Sequence, residues 1–288
     1  MLPSPVGRWL GRRLGDVAFL VVPVRRRIAE RNLAQAFPEL SARARRDLCR
    51  RSYQHLGMMV VELSTVLTRS LDAILARVVV DGADRLKAVM ETQGRALVLT
   101  AHLGNWELLT AAHQLVGYPL TIVARPLDSR GLNALAGRLR RKAGVELVDK
   151  RNAVRPVLRA LAAGRLVGIL LDQNAARHES VFVPFFGRLA STSKSIAVLS
   201  LRTGAPVIPI FTWREAGGRH RVSIGSPIDA PSGLGHADAI VEMTRLCTKA
   251  IEDAIRARPE QWLWMHARWR TRPPESGGNA SAVAGVPR

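Results

Sequence analysis

The stretch RALVLTAHLGNWELL, residues 95–109, contains the pattern that decides the fold. Residues 95–100 are an apolar run of strand length, and a polar turn with a glycine leads from it into a helical pattern over residues 108–116. The same alternation continues along the chain, with strands at 120–124, 146–148, 166–171 and 206–211 and helices at 132–142, 153–163 and 195–201. Such alternation predicts an α/β fold with a largely parallel central sheet flanked by helices.

The elements around this core set the expected domain limits. Residues 219–224 predict an added antiparallel strand, so that the sheet is mixed, and residues 237–257 predict a long helix. We expect one domain over residues 31–272, a helical appendage over 1–30, and a disordered tail over 273–288, which is rich in Pro, Gly, Ser and Ala.

The N-terminal appendage is basic and amphipathic. Residues 1–51 carry 12 arginines and four carboxylates, and Ser41 is a suitable N-cap for a helix that continues through Leu63. Before it, one side of a helix collects apolar side chains, namely Trp9, Leu10, Leu14, Val17 and Leu20. The apolar run at 17–24 is too short to span a bilayer and contains Pro23. The pattern fits a helix in a membrane interface, and it fits equally a helix packed on its own domain.

The overall charge indicates a polyanionic neighbour. The chain has 43 Lys+Arg against 23 Asp+Glu, a formal charge of +20. Nucleic acid, an anionic membrane surface and an acidic protein all satisfy this charge. Nucleic-acid motifs are missing and aromatic residues are only 5% of the chain, so we expect no nucleic-acid partner. Cys49 and Cys247 lie far apart without zinc-ligand spacing, so we expect no metal.

The turn after the first core strand is the strongest candidate site, because ligands of α/β sheets bind beyond the carboxyl ends of the strands. His102 follows the strand directly, Asn105 can cap the next helix, and Glu107 lies in the first helical turn. A carboxylate that holds Nδ1–H of a histidine leaves Nε2 free as a general base. The chain has no GxSxG elbow, so the proton is expected to come from a substrate hydroxyl, although a lone histidine in a loop is often structural.

These residues resemble a known family. His102 and Glu107 form the H-x4-E signature of the lysophospholipid and glycerolipid acyltransferase superfamily, and the sequence AHLGNWEL is similar to its bacterial lipid A branch, the late acyltransferases that add lauroyl or myristoyl chains. Five further stretches resemble that branch in the same order, RNL with AFPEL (31–40), VARP (123–126), LDQN with VPFFG (171–187), APVIP (205–209) and EQWLWMHARW (260–269). The sequence departs from the family in the short apolar run at 17–24 and in Ala267, where a second basic residue is common.

The resemblance implies a role for each site residue. His102 would deprotonate the acceptor hydroxyl, and either Glu107 or Asp172 would orient it, a choice that the sequence leaves open. Arg125 would stabilise the oxyanion or grip a phosphate. The remaining predicted residues bind substrate, with loop support or a solvated surface position as the alternative: Asn105, Gln173 and Lys194.

The resemblance also implies the partners. The donor would be an acyl carrier protein or acyl-CoA, with no other cofactor, and the acceptor a membrane glycolipid, most simply a lipid A precursor. A phosphatidylinositol mannoside, a lysophospholipid or an aminolipid stays open as acceptor, and the alternative to an enzyme is a basic nucleic-acid- or membrane-binding module without catalysis. The expected location is the cytoplasmic face of the bacterial inner membrane. Residues 125–165, with 11 Lys+Arg against three carboxylates, would dock the acidic carrier or a phosphorylated lipid.

Overall fold

The central sheet of the protein has seven strands and is parallel except at one pairing. The computed structural model describes residues 5–124 and 129–274. Its strands are β1 (Val78–Asp81), β2 (Ala96–Thr100), β3 (Leu120–Ala124), β4 (Glu146–Asp149), β5 (Leu166–Leu170), β6 (Ser180–Phe185), β7 (Arg188–Ser193), β8 (Val207–Arg214) and β9 (His220–Ile224). The order of the central sheet is β1-β9-β8-β2-β5-β3-β4, and among its described pairings only that of β8 with β9 is antiparallel. Strands β6 and β7 form a separate antiparallel pair. The predicted mixed, largely parallel α/β sheet is therefore confirmed.

Helices cover both faces of this sheet. They are α1 (Pro5–Val21), α2 (Pro23–Ala36), α3 (Ala42–Ser64), α4 (Leu71–Leu75), α5 (Ala83–Gln93), α6 (Trp106–Ala112), α7 (Arg130–Lys142), α8 (Val154–Ala162), α9 (Ser195–Thr203) and α10 (His236–Ala257). Alternate residues of β2 enter different cores: Leu97 and Leu99 pack in the core with α8, α9 and α10, whereas Ala96 and Val98 pack in the core with α5. Burial on both faces explains why this strand is apolar from Ala96 to Leu99.

The stretch VPFFG, residues 183–187, lies in a β-hairpin. It forms the end of β6 and the turn into β7. Phe185 and Phe186 are buried and pack on Phe37, Trp262 and Trp264. These side chains are therefore part of the core.

The N-terminal helix is attached to the domain by backbone contact. Pro23 begins α2 directly after α1, and α1 crosses α3 through Gly11 and Gly15 on one side and Gly57 on the other. A Cβ atom on any of these glycines would lie 2.1–2.5 Å from a backbone atom of the opposite helix. Only glycine permits such an approach.

The outer face of α1 and the start of α2 is apolar and open. Its side chains are between 47% and 67% exposed: Val6, Trp9, Leu10, Leu14, Val17, Leu20, Val21 and Val24. The structure confirms that α1 packs on its own domain, through its glycines, and it also shows that α1 turns its larger apolar side chains outward. Contact with a membrane interface stays a prediction. Within residues 5–124 and 129–274, none of the helices has the length and hydropathy that crossing a bilayer requires. The predicted disordered tail lies outside the described residues from position 275 onward.

Candidate active site

The register of two neighbouring strands brings His102 and Asp172 together. Strands β2 and β5 pair in parallel with Thr100 opposite Leu170, and each functional residue follows two positions later. The backbone N–H of Leu171 continues the ladder by donating to the carbonyl of Thr100 at 3.1 Å. Two side chains 70 residues apart thus meet at the carboxyl edge of the sheet.

Asp172 holds His102 at two points. Its Oδ1 lies 2.9 Å from Nδ1 of His102, and its Oδ2 accepts the backbone N–H of His102 at 3.0 Å and Nε1–H of Trp262 at 2.7 Å. Burial opposes ionisation of this carboxyl, but His102 and the hydrogen bonds from His102 and Trp262 outweigh burial and lower the pKa of Asp172 to about 2. An ionised carboxylate only accepts hydrogen bonds, so Nδ1 of His102 carries the proton.

The imidazole is framed on its other sides and remains accessible. Trp106 packs edge-on against it with ring centroids 5.1 Å apart, and Nε2 of Gln173 lies 3.4 Å from Nδ1 and 3.3 Å from Nε2 of His102. The His102 side chain keeps 20% of its surface exposed. Because Nδ1 is occupied by Asp172, Nε2 is the nitrogen available to a substrate.

Glu107 is directed at an arginine. Its two carboxylate oxygens accept from Nε of Arg140 at 3.0 Å and Nη2 at 2.7 Å, and both side chains are buried. This bidentate ion pair joins α6 to α7. Of the two carboxylates considered for orienting His102, it is Asp172 that lies against the ring.

Two of the predicted substrate-binding residues, Asn105 and Lys194, have no hydrogen bond to His102 among the described residues. Asn105 is buried, its Oδ1 accepts from the backbone N–H of Leu108 at 3.1 Å, and its Nδ2 donates to Glu62 at 2.9 Å. Lys194 lies at the N-terminus of α9 and donates its backbone N–H to Glu179, and among the described residues no hydrogen bond or ion pair joins its side chain to His102. Arg125 lies outside the described residues.

Several residues around the site were not assigned a role from the sequence. Trp106 and Trp262 contact the His102–Asp172 pair directly, and Nε2 of His266 accepts the backbone N–H of Asn174 at 2.9 Å. Burial lowers the pKa of His266 to about 4, so this ring is neutral. Trp262 and His266 lie in the stretch EQWLWMHARW, residues 260–269, which resembles the family. The resemblance did not indicate which residues they contact.

Arg268 is a cation enclosed next to this site. It donates to the carbonyl of Ser191 at 2.7 Å and to Oγ1 of Thr192 at 2.5 Å, and its guanidinium lies 4.9 Å from the ring centroid of Phe185. Burial lowers the pKa of Arg268 to about 10, and the charge of Asp172 opposes that shift. Across residues 5–124 and 129–274, no group of three or more His, Cys, Asp or Glu side chains is arranged to hold a metal ion.

A histidine held by a buried aspartate at the edge of a parallel sheet has the arrangement of a general base. A family model described as bacterial lipid A biosynthesis acyltransferase matches residues 1–271. The chain belongs to this family.

Individual relatives agree over nearly the whole length. The chain is 30% identical over 277 residues to the lipid A biosynthesis palmitoleoyltransferase of Escherichia coli K12, covering 94% of this chain and 87% of that protein. It is 28% identical over 274 residues to the lipid A biosynthesis lauroyltransferase of the same organism, covering 94% and 88%. The lipid A biosynthesis myristoyltransferase of that organism is 24% identical over 266 residues, covering 91% and 80%.

Proposed function

We propose that this acyltransferase moves a fatty acyl group from a thioester donor to a hydroxyl of a lipid A precursor, with His102 as general base. The observation that carries the proposal is the contact of Asp172 with Nδ1 of His102, which leaves Nε2 free at an accessible edge of the sheet. The names of the relatives, which are lipid A lauroyl-, palmitoleoyl- and myristoyltransferases, support this class of acceptor.

The reaction follows from the tautomer. Nε2 of His102 accepts the proton of the acceptor hydroxyl, and the oxygen of that hydroxyl attacks the thioester carbonyl carbon. The C–O bond forms, the carbonyl π electrons move to oxygen, and Asp172 offsets the imidazolium charge. The tetrahedral intermediate then collapses, the C–S bond breaks, and the proton on Nε2 passes to the leaving thiolate. No cofactor beyond the thioester enters this proposal.

The developing oxyanion needs hydrogen-bond donors on the open side of His102. Nε2–H of Gln173 is such a donor, because it lies 3.3 Å from Nε2 of His102. We assign Arg125 to the oxyanion or to an acceptor phosphate, since it directly follows β3 and the carboxyl ends of β3 and β5 lie side by side. Lys194 remains assigned to a phosphate of the substrate.

The apolar face of α1 supports work at a membrane surface. Its exposed side chains stand beside exposed arginines, including Arg12, Arg25 and Arg27, which suits a helix that lies among anionic headgroups. We propose that residues 1–30 provide this contact and that residues 31–272 form the transferase. The donor, an acyl carrier protein or acyl-CoA, would dock at the basic segment 125–165, of which α7 and α8 are part.

The test is acyl transfer by the purified full chain to lipid vesicles. Acyl carrier protein and CoA thioesters are paired with a lipid A precursor, a lysophospholipid and a phosphatidylinositol mannoside. Transfer to the precursor is expected, and His102→Ala should lower kcat about 10²–10⁴-fold. His236→Ala, which changes an exposed histidine at the start of α10, is the control and should act like the wild type. Unchanged kcat in His102→Ala would remove His102 from the mechanism, and a preference for another acceptor would overturn the lipid A assignment.

A further inference from the structure

A buried ion pair lies behind the turn that carries His102. Glu62 of α3 and Arg214 of β8 meet in a bidentate contact, with Nε to Oε1 at 2.5 Å and Nη2 to Oε2 at 2.7 Å. Both side chains are buried. Removing two charges from water is costly, and similar volume in apolar side chains would often serve stability as well. We therefore looked to the neighbouring residues for the role of this ion pair.

The carboxylate of this pair reaches the start of α6. Oε2 of Glu62 accepts Nδ2–H of Asn105 at 2.9 Å, and Oδ1 of Asn105 accepts the backbone N–H of Leu108. The amide is thereby fixed in one orientation, with its donor on the carboxylate and its acceptor on the helix. Glu62 thus holds the residue that ends the His102 turn.

The guanidinium reaches the same turn through a histidine. Nη1 of Arg214 lies 2.8 Å from Nδ1 of His55, and Nε2 of His55 lies 3.1 Å from the carbonyl oxygen of Gly104. Arginine stays protonated and donates, so Nδ1 accepts, and the ring proton is on Nε2, where it donates to Gly104. Burial and the charge of Arg214 lower the pKa of His55 to about 3, which keeps this tautomer neutral.

The backbone around Arg214 closes the arrangement. Gln261 accepts from the backbone N–H of Arg214 at 2.7 Å and donates to its carbonyl at 2.9 Å, while the carbonyl of Gln261 accepts the backbone N–H of Gly104 at 3.0 Å. A Cβ atom on Gly104 would lie 2.0 Å from the carbonyl oxygen of Thr212. The turn is thus held from α3, from β8 and from the C-terminal segment.

We propose that Glu62, Arg214 and His55 form a positioning unit for His102. By fixing Gly104 and Asn105, the unit sets where the chain leaves β2 and keeps the imidazole on Asp172 with Nε2 facing the substrate. A displacement of a reacting group by 1 Å can cost about 100-fold in rate, so a loosened turn lowers kcat even when the fold persists. This inference rests on the proposed function, because it acts through His102.

The test uses His55, whose loss leaves the Glu62–Arg214 ion pair in place. His55→Leu removes the hydrogen bonds to Gly104 and Arg214, and we expect kcat to fall about 10–100-fold with KM for donor and acceptor within about threefold. His55→Gln, whose amide can donate to Gly104, should recover at least half of that loss on a logarithmic scale. Leu86→Ala is the control for lost stability, because Leu86 is buried in the core with α5 and takes no part in these contacts. It should keep wild-type kcat well below its melting temperature.

Three outcomes overturn the inference: wild-type kcat in His55→Leu, no recovery in His55→Gln, or an equal loss of kcat in Leu86→Ala at equal loss of stability. The same assay includes His102→Ala. An inactive His102→Ala beside a fully active His55→Leu would reject the positioning unit alone. An active His102→Ala would reject the proposed function itself.

Discussion

Replacing Asp172 with asparagine tests the mechanism most directly, because the surrounding contacts dictate how the new amide would lie. Oδ2 of Asp172 receives two donors, the backbone N–H of His102 and Nε1–H of Trp262, whereas the hydrogen-bond partner of Oδ1 among the described residues is Nδ1 of His102. The single oxygen of asparagine should take the Oδ2 position, and its NH₂ group then faces Nδ1. Nδ1 of His102 must then accept a hydrogen bond from this NH₂ group, so the ring proton moves to Nε2. A protonated Nε2 cannot take a proton from the acceptor hydroxyl.

The expected loss follows from the cost of the opposite amide orientation. Turning the NH₂ group toward the two donors leaves two buried hydrogen bonds unmade, at about 1–3 kcal/mol each. The working tautomer is therefore disfavoured by roughly 2–6 kcal/mol, and kcat should fall between about 30-fold and 10⁴-fold. KM should change little, because the carboxylate is buried beneath His102. Steady-state acyl transfer to vesicles that contain a lipid A precursor gives both constants.

Two further variants make this prediction refutable. Adding Trp262→Phe to Asp172→Asn removes one of the two donors, which makes the opposite orientation easier, so kcat should rise relative to Asp172→Asn alone. Adding His102→Ala should cause no loss beyond that of His102→Ala, because the two residues act as a unit. A kcat within threefold of wild type for Asp172→Asn, or additive losses in the double variant, would contradict the reasoning.

Three other predictions address folding and the membrane. In urea denaturation, Gly104→Ala should lower the free energy of unfolding by at least ~2 kcal/mol more than Gly94→Ala. Both glycines have a positive φ, but only at Gly104 would the new Cβ atom meet a backbone atom among the described residues. Equal losses would show that strain alone decides. As the pH decreases from 7 to 5, His55 takes up a proton in the unfolded chain but not in the folded chain, where its pKa is about 3. The free energy of unfolding should therefore fall by about 2 kcal/mol from this residue over that pH range. His55→Gln should reduce that dependence by the same amount, and an unchanged slope would contradict it. Leu20→Ser should weaken partitioning to anionic vesicles about tenfold, measured by sedimentation, without changing the melting temperature. The control is Leu115→Ser, which changes an exposed leucine after α6 and should have no effect on partitioning.

The sheet could be predicted because its strands are buried on both faces. Residues 95–100 and 166–171 read as continuous apolar runs, and their limits agree with β2 and β5 within one residue. Strand β1 and the β6–β7 hairpin were not predicted. The half-buried edge strand β1 has only four residues. The β6–β7 hairpin turns through Phe186 and Gly187, and Phe186, which has a positive φ of 51°, is not a residue type that predicts such a turn.

The site could be predicted in part. His102 was found because it directly follows a strand beside a glycine turn. Its partner stayed open because Glu107, five residues away, and Asp172, 70 residues away, are both plausible by residue type, and only the register of β2 with β5 separates them. The role of Glu107 was hidden by Arg140, since nothing local in the sequence indicates that α7 would place a guanidinium against α6. Glu62 and Arg214 were missed for the same reason, because 152 residues separate them.

The glycine contact between α1 and α3 fixes the distance between α1 and the turn that carries His102. Helices usually pack with axes 8–10 Å apart because side chains separate them, whereas Gly11, Gly15 and Gly57 bring backbone against backbone. On the opposite side of α3, Glu62 and His55 hold the His102 turn. If α1 rests at the lipid interface as proposed, the height of Nε2 above the acyl chains is fixed by main-chain geometry. A larger residue at Gly15 would then shift that height.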